Sequence, residues 1–144
     1  MLSKIFFAWL LVAICVAIHA LGITLALRWL RTRHSRMEGA FLPAMLMMVR
    51  VAGGVVILHI IEISLWAAFY TWKGCLPDFD TAFYFSAVTY TTTGYGDIVL
   101  PKDWRSFSSV EALTGILMCG WSTGFFFAVV SRRNPLHHPP HGHE

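Results

Sequence analysis

The stretch Thr91-Thr92-Thr93-Gly94-Tyr95-Gly96-Asp97 decides the reading of this chain. Three threonines run into two glycines that bracket a tyrosine, and a carboxylate closes the segment. Glycine enters left-handed backbone conformations without steric cost. Gly94 and Gly96 therefore let the chain alternate its hand and turn successive carbonyls the same way. Just upstream, Ala82 to Tyr90 is apolar and aromatic but only two to three helical turns long. Asp78-Phe79-Asp80-Thr81 offers N-cap chemistry ahead of it. So short a helix cannot cross a hydrocarbon core of about 30 Å. The sequence predicts a re-entrant helix, which is tolerated only when buried in protein or lining a water-filled cavity.

Working outward, apolar runs of bilayer length flank this insert. One begins near Pro43 and ends near Trp72; another runs from about Phe107 to Val130. Pro43 suits a first helical turn, where its missing N–H costs nothing. Trp66, Tyr70 and Trp72 cluster at the far end of their run and are expected to form an interfacial aromatic belt. A further run, Ile5 to about Leu27, is too long for a signal-peptide core and has no clear cleavage site after it, so it reads as a true span. The composition agrees: of 144 residues 56% are hydrophobic and 13% charged, with a mean hydropathy of +0.60. A soluble domain of this size needs more polar surface. Arg28, Arg31, Arg33 and Arg36 resist translocation and place their loop in the cytoplasm. Three spans then put the amino terminus outside and the carboxyl terminus inside, in a multi-pass cell-membrane protein. Arg132 and Arg133, which close the last span, agree with that orientation.

The segment 91–97 resembles the selectivity filter of potassium channels, T-x-G-Y-G-D, and the resemblance extends over the two-span pore module from about 43 to 131. It implies an all-α membrane protein with three transmembrane helices, a re-entrant pore helix and a filter loop, assembled as a homotetramer around a central pore. The domains expected are an amino-terminal helix and basic loop (1–42), the pore domain (43–131) and a His/Pro-rich tail (132–144). Within the pore domain the outer helix covers about 43–72, the pore helix 80–91, the filter 92–97 and the inner helix 106–131. The resemblance assigns potassium coordination to Thr92, Thr93, Gly94, Tyr95 and Gly96, and the outer mouth to Asp97. Tyr84 and Phe85 are expected to pack against Tyr95. Thr93 stands where valine or isoleucine is usual, and Val88 where some members carry a glutamate that braces the filter.

Ionisable groups at membrane depth are costly and face the protein interior. Glu111 is expected behind the filter as a substitute brace, with helix–helix polar glue as the alternative. His59 and Glu62 share a helical face, either as a structural pair or as a proton sensor. Gly120, then Gly115, are hinge candidates for the inner helix; close helix packing through small residues is the equal alternative. Arg50 snorkels to headgroups, and no span carries the arginine periodicity of a voltage sensor. Cys15 and Cys119 read as inert small hydrophobes, while Cys75 offers an intersubunit disulfide. The tail histidines His137, His138, His141 and His143 form either a disordered segment or a metal-binding tract.

These features point to passive potassium conduction, with ions in the filter as cargo and no cofactor. No nucleic acid or small-molecule substrate is expected; the partners are membrane lipid and three further copies of the chain. The alternatives are a weakly selective cation channel or a non-conducting membrane sensor on the same scaffold. No nucleophile–base pair or metal-ligand spacing suggests an enzyme.

Overall fold

A computed structural model of the chain describes residues 2–33 and 41–131. The end of the basic loop and the histidine-rich tail lie outside the described residues. Four α-helices follow one another: α1 (Leu2–Arg33), α2 (Phe41–Trp72), α3 (Phe79–Tyr90) and α4 (Arg105–Ser131), the last entered through a short 3-10 turn at Lys102–Trp104. No strand occurs among the described residues. Three of these helices are long and apolar enough to cross a membrane: α1, α2 and the 3-10 turn with α4. Helix α3 has 12 residues, about 18 Å of rise, and does not qualify.

The sequence sets each end. α2 stops in a Schellman motif: the Cys75 N–H donates to the Tyr70 carbonyl (2.9 Å) and the Gly74 N–H to that of Thr71 (3.0 Å). Gly74 sits at φ +65°, as the motif requires. Four residues later Asp78 caps α3, accepting from the Thr81 N–H (2.8 Å) and the Thr81 hydroxyl (2.9 Å). Such a cap contributes about 1 kcal/mol. The chain thus turns back toward the protein within six residues of leaving α2.

α3 lies between α2 and α4, and α1 packs along α2 and α4 of the same chain. One end is locked by aromatic rings. Phe69 of α2 stacks on Phe107 of α4 (5.4 Å, 11°) and meets Phe7 of α1, Trp72 and Trp104 edge-on or tilted at 5.8–6.1 Å. Lys73 lies over the Trp72 ring (3.6 Å) and the Phe7 ring (4.1 Å), and Lys4 donates to the Asp103 carbonyl (2.6 Å). The start of α1 therefore lies at the same end of the bundle as the 3-10 turn.

The packing corrects one expectation. Trp66 and Tyr70 are fully buried, and of the expected belt only Trp72 is exposed, at 67%. Tyr70 turns toward α3 and α4, where it meets Phe85 and Glu111, and Trp66 lies beside Cys15 of α1. Cys75 is also buried and free. Burial raises its thiol above the ordinary value, which disfavours the thiolate that disulfide exchange needs.

Glycines divide by what surrounds them. A Cβ on Gly115 would overlap the Tyr90 carbonyl oxygen and crowd the Tyr90 ring, so Gly115 is where α4 meets the end of α3. Gly120 faces open space in the chain. Gly115→Ala should therefore destabilise the protein by about 1–3 kcal/mol through overpacking against backbone, whereas Gly120→Ala should leave stability unchanged or slightly raised. Thermal unfolding of the two detergent-solubilised variants checks the contrast.

Candidate ion-conduction site

Residues 92–96 leave the carboxyl end of α3 as an exposed segment. A helix leaves its last carbonyls without intrahelical partners, and here the following residues supply the donors. The Thr91 N–H donates to the Ala87 carbonyl (3.1 Å) and the Thr92 N–H to that of Thr89 (2.9 Å). The Val88 carbonyl accepts twice, from the N–H of Thr93 (2.9 Å) and of Gly94 (3.2 Å). Val88 thus anchors the segment through its backbone, at the position where the side chain offers no brace. The Thr93 hydroxyl pairs with that of Thr91 (3.0 Å), and the Thr91 hydroxyl also donates to the Ala87 carbonyl (2.7 Å).

The backbone alternates in hand. Thr92 (φ 60°), Gly94 (φ 55°) and Gly96 (φ 76°) take positive φ, whereas Thr93 and Tyr95 do not. The glycines were readable from the sequence; Thr92 was not. A β-branched residue there is strained, at a cost of about 1–3 kcal/mol. Among the described residues no carbonyl of 92–96 accepts a hydrogen bond. This is a run of free, exposed oxygens, the kind of donor set that a hard cation needs in place of its water.

Around the segment, the Tyr84 hydroxyl donates to Asp97 Oδ2 (2.7 Å). That bond holds the Asp97 carboxyl below its ordinary range. Phe85 packs edge-on against Tyr70 (5.4 Å, 79°). Neither ring stacks on Tyr95 within the chain, and Tyr95 is 71% exposed. A cleft of about 340 Å³ runs beside the segment, lined by Tyr84, Val88, Thr92, Gly94, Gly96 and Asp97 among others.

Glu111 is fully buried and accepts from the Tyr70 hydroxyl (2.8 Å). Ser86 of α3 interacts with the same carboxyl, although Ser86 Oγ and Glu111 Oε1 do not reach hydrogen-bond geometry. Glu111 therefore sits between α2, α3 and α4, behind the pore helix rather than on the filter-like segment.

The sequence reading found His59 and Glu62 but missed what surrounds them. His19 of α1, fully buried, places Nδ1 2.9 Å from Glu62 Oε1 and Nε2 3.2 Å from Ser122 Oγ of α4. His59 places Nε2 3.1 Å from the same Ser122 Oγ and Nδ1 3.1 Å from the Tyr90 hydroxyl. The Tyr90 hydroxyl in turn donates to Glu62 Oε2. The five side chains close a ring that joins all four helices at the foot of α3. The one sequence signal of His19 is its place in the middle of an otherwise apolar run.

The family described as Ion channel matches residues 44–132. The chain belongs to the ion channel family. The matched region covers α2, α3, the exposed segment and α4, which leaves α1 as an addition to the pore module. No curated protein and no solved structure matches the chain. In this ion channel the alternating segment stands between α3 and α4, with its carbonyl oxygens unpaired.

Asp97 gives a pH test. Its folded-state pKa is depressed by the Tyr84 bond, so its charge persists above the lowered value and is lost as pH falls through it. Single-channel conductance should drop as the solution facing Asp97 is acidified. In Tyr84→Phe the drop should begin at higher pH, because the carboxyl returns toward about 3.9. Conductance measured against pH in the two proteins checks this.

Proposed function

We propose that the chain is one subunit of a potassium-selective channel, in which four copies surround a pore lined by Thr92, Thr93, Gly94, Tyr95 and Gly96. The observation that carries this reading is the alternation of hand at 92, 94 and 96 together with carbonyls left without hydrogen bonds. A single segment surrounds nothing; closing a ring of carbonyls around one ion takes several copies, and cyclic symmetry is the economical arrangement. The exposed Tyr95 ring and the cleft beside the segment supply apolar surface for a neighbouring subunit. The Thr92 hydroxyl adds the innermost oxygens, and Asp97 concentrates cations at the outer mouth. Potassium is the cargo of this site; the reading needs no cofactor, partner nucleic acid or organic substrate.

Orientation follows from the same end of the bundle. Lys4 touches the Asp103 carbonyl, so the amino terminus shares a side with the connection that follows Asp97. With the basic residues Arg28 and Arg31 at the opposite end of α1 in the cytoplasm, the amino terminus and outer mouth face outward and the carboxyl terminus inward. Glu111 supports the filter indirectly, by fixing Tyr70 and α3. Gly120 is the hinge of this reading, since Gly115 is occupied with packing.

The purified protein in a planar bilayer, with potassium on one side and sodium on the other, should reverse near the potassium equilibrium potential. Gly96→Ala places an L-residue in the left-handed region, at about 1–2 kcal/mol, with no atom of its own chain to clash. It should assemble normally yet lose potassium preference. A wild-type reversal potential near zero would remove the selective reading and leave a weakly selective cation channel.

A further inference from the structure

We propose that His19, His59 and Glu62 form a buried site for a divalent transition metal of the zinc class, with the Tyr90 oxygen as its fourth ligand. One ligand atom from each of the three residues lies within 4.8 Å of the other two. A tetrahedral ion with bonds of about 2.0–2.1 Å sets its ligands about 3.3 Å apart. His19 Nδ1 lies 2.9 Å from Glu62 Oε1 and His59 Nδ1 lies 3.6 Å from Glu62 Oε2, so the two rings flank the two oxygens of one carboxylate at separations near that value. The Tyr90 oxygen lies 3.1 Å from His59 Nδ1 and becomes available as the second oxygen once the proton it donates to Glu62 Oε2 is released.

The orientation of the rings is the second argument. A metal-bound histidine usually donates its other ring N–H to a fixed acceptor. Both rings here turn Nδ1 toward the Glu62 and Tyr90 oxygens and Nε2 toward one atom, Ser122 Oγ, at 3.1 and 3.2 Å. With metal on the two Nδ1 atoms, both Nε2–H groups donate, and the two lone pairs of Ser122 Oγ receive them. Charge is the third. A bare dication at membrane depth is prohibitive, but the Glu62 carboxylate and a Tyr90 phenolate together neutralise it. Binding therefore releases the Tyr90 proton to solvent, as coordination commonly does. The residues come from α1, α2 and the end of α3, with Ser122 from α4 behind them. A bound ion fixes the added helix to the pore module irrespective of which ion the pore conducts.

The test uses Co²⁺ as the probe, on the full-length protein in detergent with His137, His138, His141 and His143 changed to Asn to remove other metal-binding capacity. One cobalt per chain should bind, with the intense visible absorption of tetrahedral coordination. His19→Asn and Glu62→Gln should abolish that absorption. Tyr90→Phe should shift the spectrum, and Ser122→Ala should weaken binding about 10–100-fold while leaving the spectrum tetrahedral. Absence of bound cobalt, or a spectrum and affinity unchanged in both Tyr90→Phe and Ser122→Ala, overturns the proposal. The latter two variants remove no nitrogen or carboxylate ligand, so they decide the matter even where the ligand variants fail to fold.

Discussion

A helix leaves its last carbonyls without partners of its own, and the rest of this structure depends on how those of α3 are satisfied. The carbonyls of Ala87, Val88 and Thr89 all find donors in residues 91–94. Those bonds use the amides of the exposed segment and leave its own carbonyls free. The hydrogen-bond requirement of α3 and the availability of oxygens at 92–96 are thus one fact seen from two sides. A filter-like segment hung on solvent-facing amides would carry no such link. Each bond contributes only about 0.5–1.5 kcal/mol net, but leaving a buried carbonyl unpaired costs more, so the segment has little freedom to leave the helix end.

Tyr90 carries the constraint further into the protein. Its carbonyl occupies the space that a side chain at residue 115 would fill, and its hydroxyl joins the His19, His59, Glu62 and Ser122 ring. Backbone and side chain of one residue therefore fix α3 against α4 on one side and against α1 and α2 on the other. The strain at Thr92 persists two residues beyond this anchor, as expected of a conformation that its surroundings over-determine.

The elements and their order were legible in the sequence because each depends on a local or periodic signal. The apolar runs gave the three long helices, and Asp78 with Thr81 placed the start of α3 within a residue or two of Phe79. Gly94 and Gly96 announced the alternation of hand, since few other residues accept it. What escaped was tertiary. Trp66 and Tyr70 have the composition of a lipid-interface belt, and only the packing of α1, α3 and α4 around them turns them inward. Gly115 and Gly120 look alike as letters; only the approach of Tyr90 makes the first a packing contact. His19 lies 43 residues from Glu62, and no spacing rule on a single helix connects them. Tyr95, placed against Tyr84 and Phe85 by resemblance, has no stacked ring inside one chain and stays exposed.

The first helix shows why the added element is more than a membrane anchor. A span held only by apolar contacts in lipid gains little from burial, because hydrocarbon is as apolar as its neighbours. Helix α1 instead carries polar attachments at two depths: Lys4 at the Asp103 carbonyl and His19 in the buried ring. Removing one partner of a buried ionic or hydrogen-bonded set costs far more than its net contribution, since the remaining groups are stranded. The ring ties the register and rotation of α1 to the other helices, with its single interior histidine between Glu62 and Ser122. Because that ring also ends on Tyr90, any displacement of α1 is felt at the foot of the pore helix, one residue before the segment whose carbonyls are free.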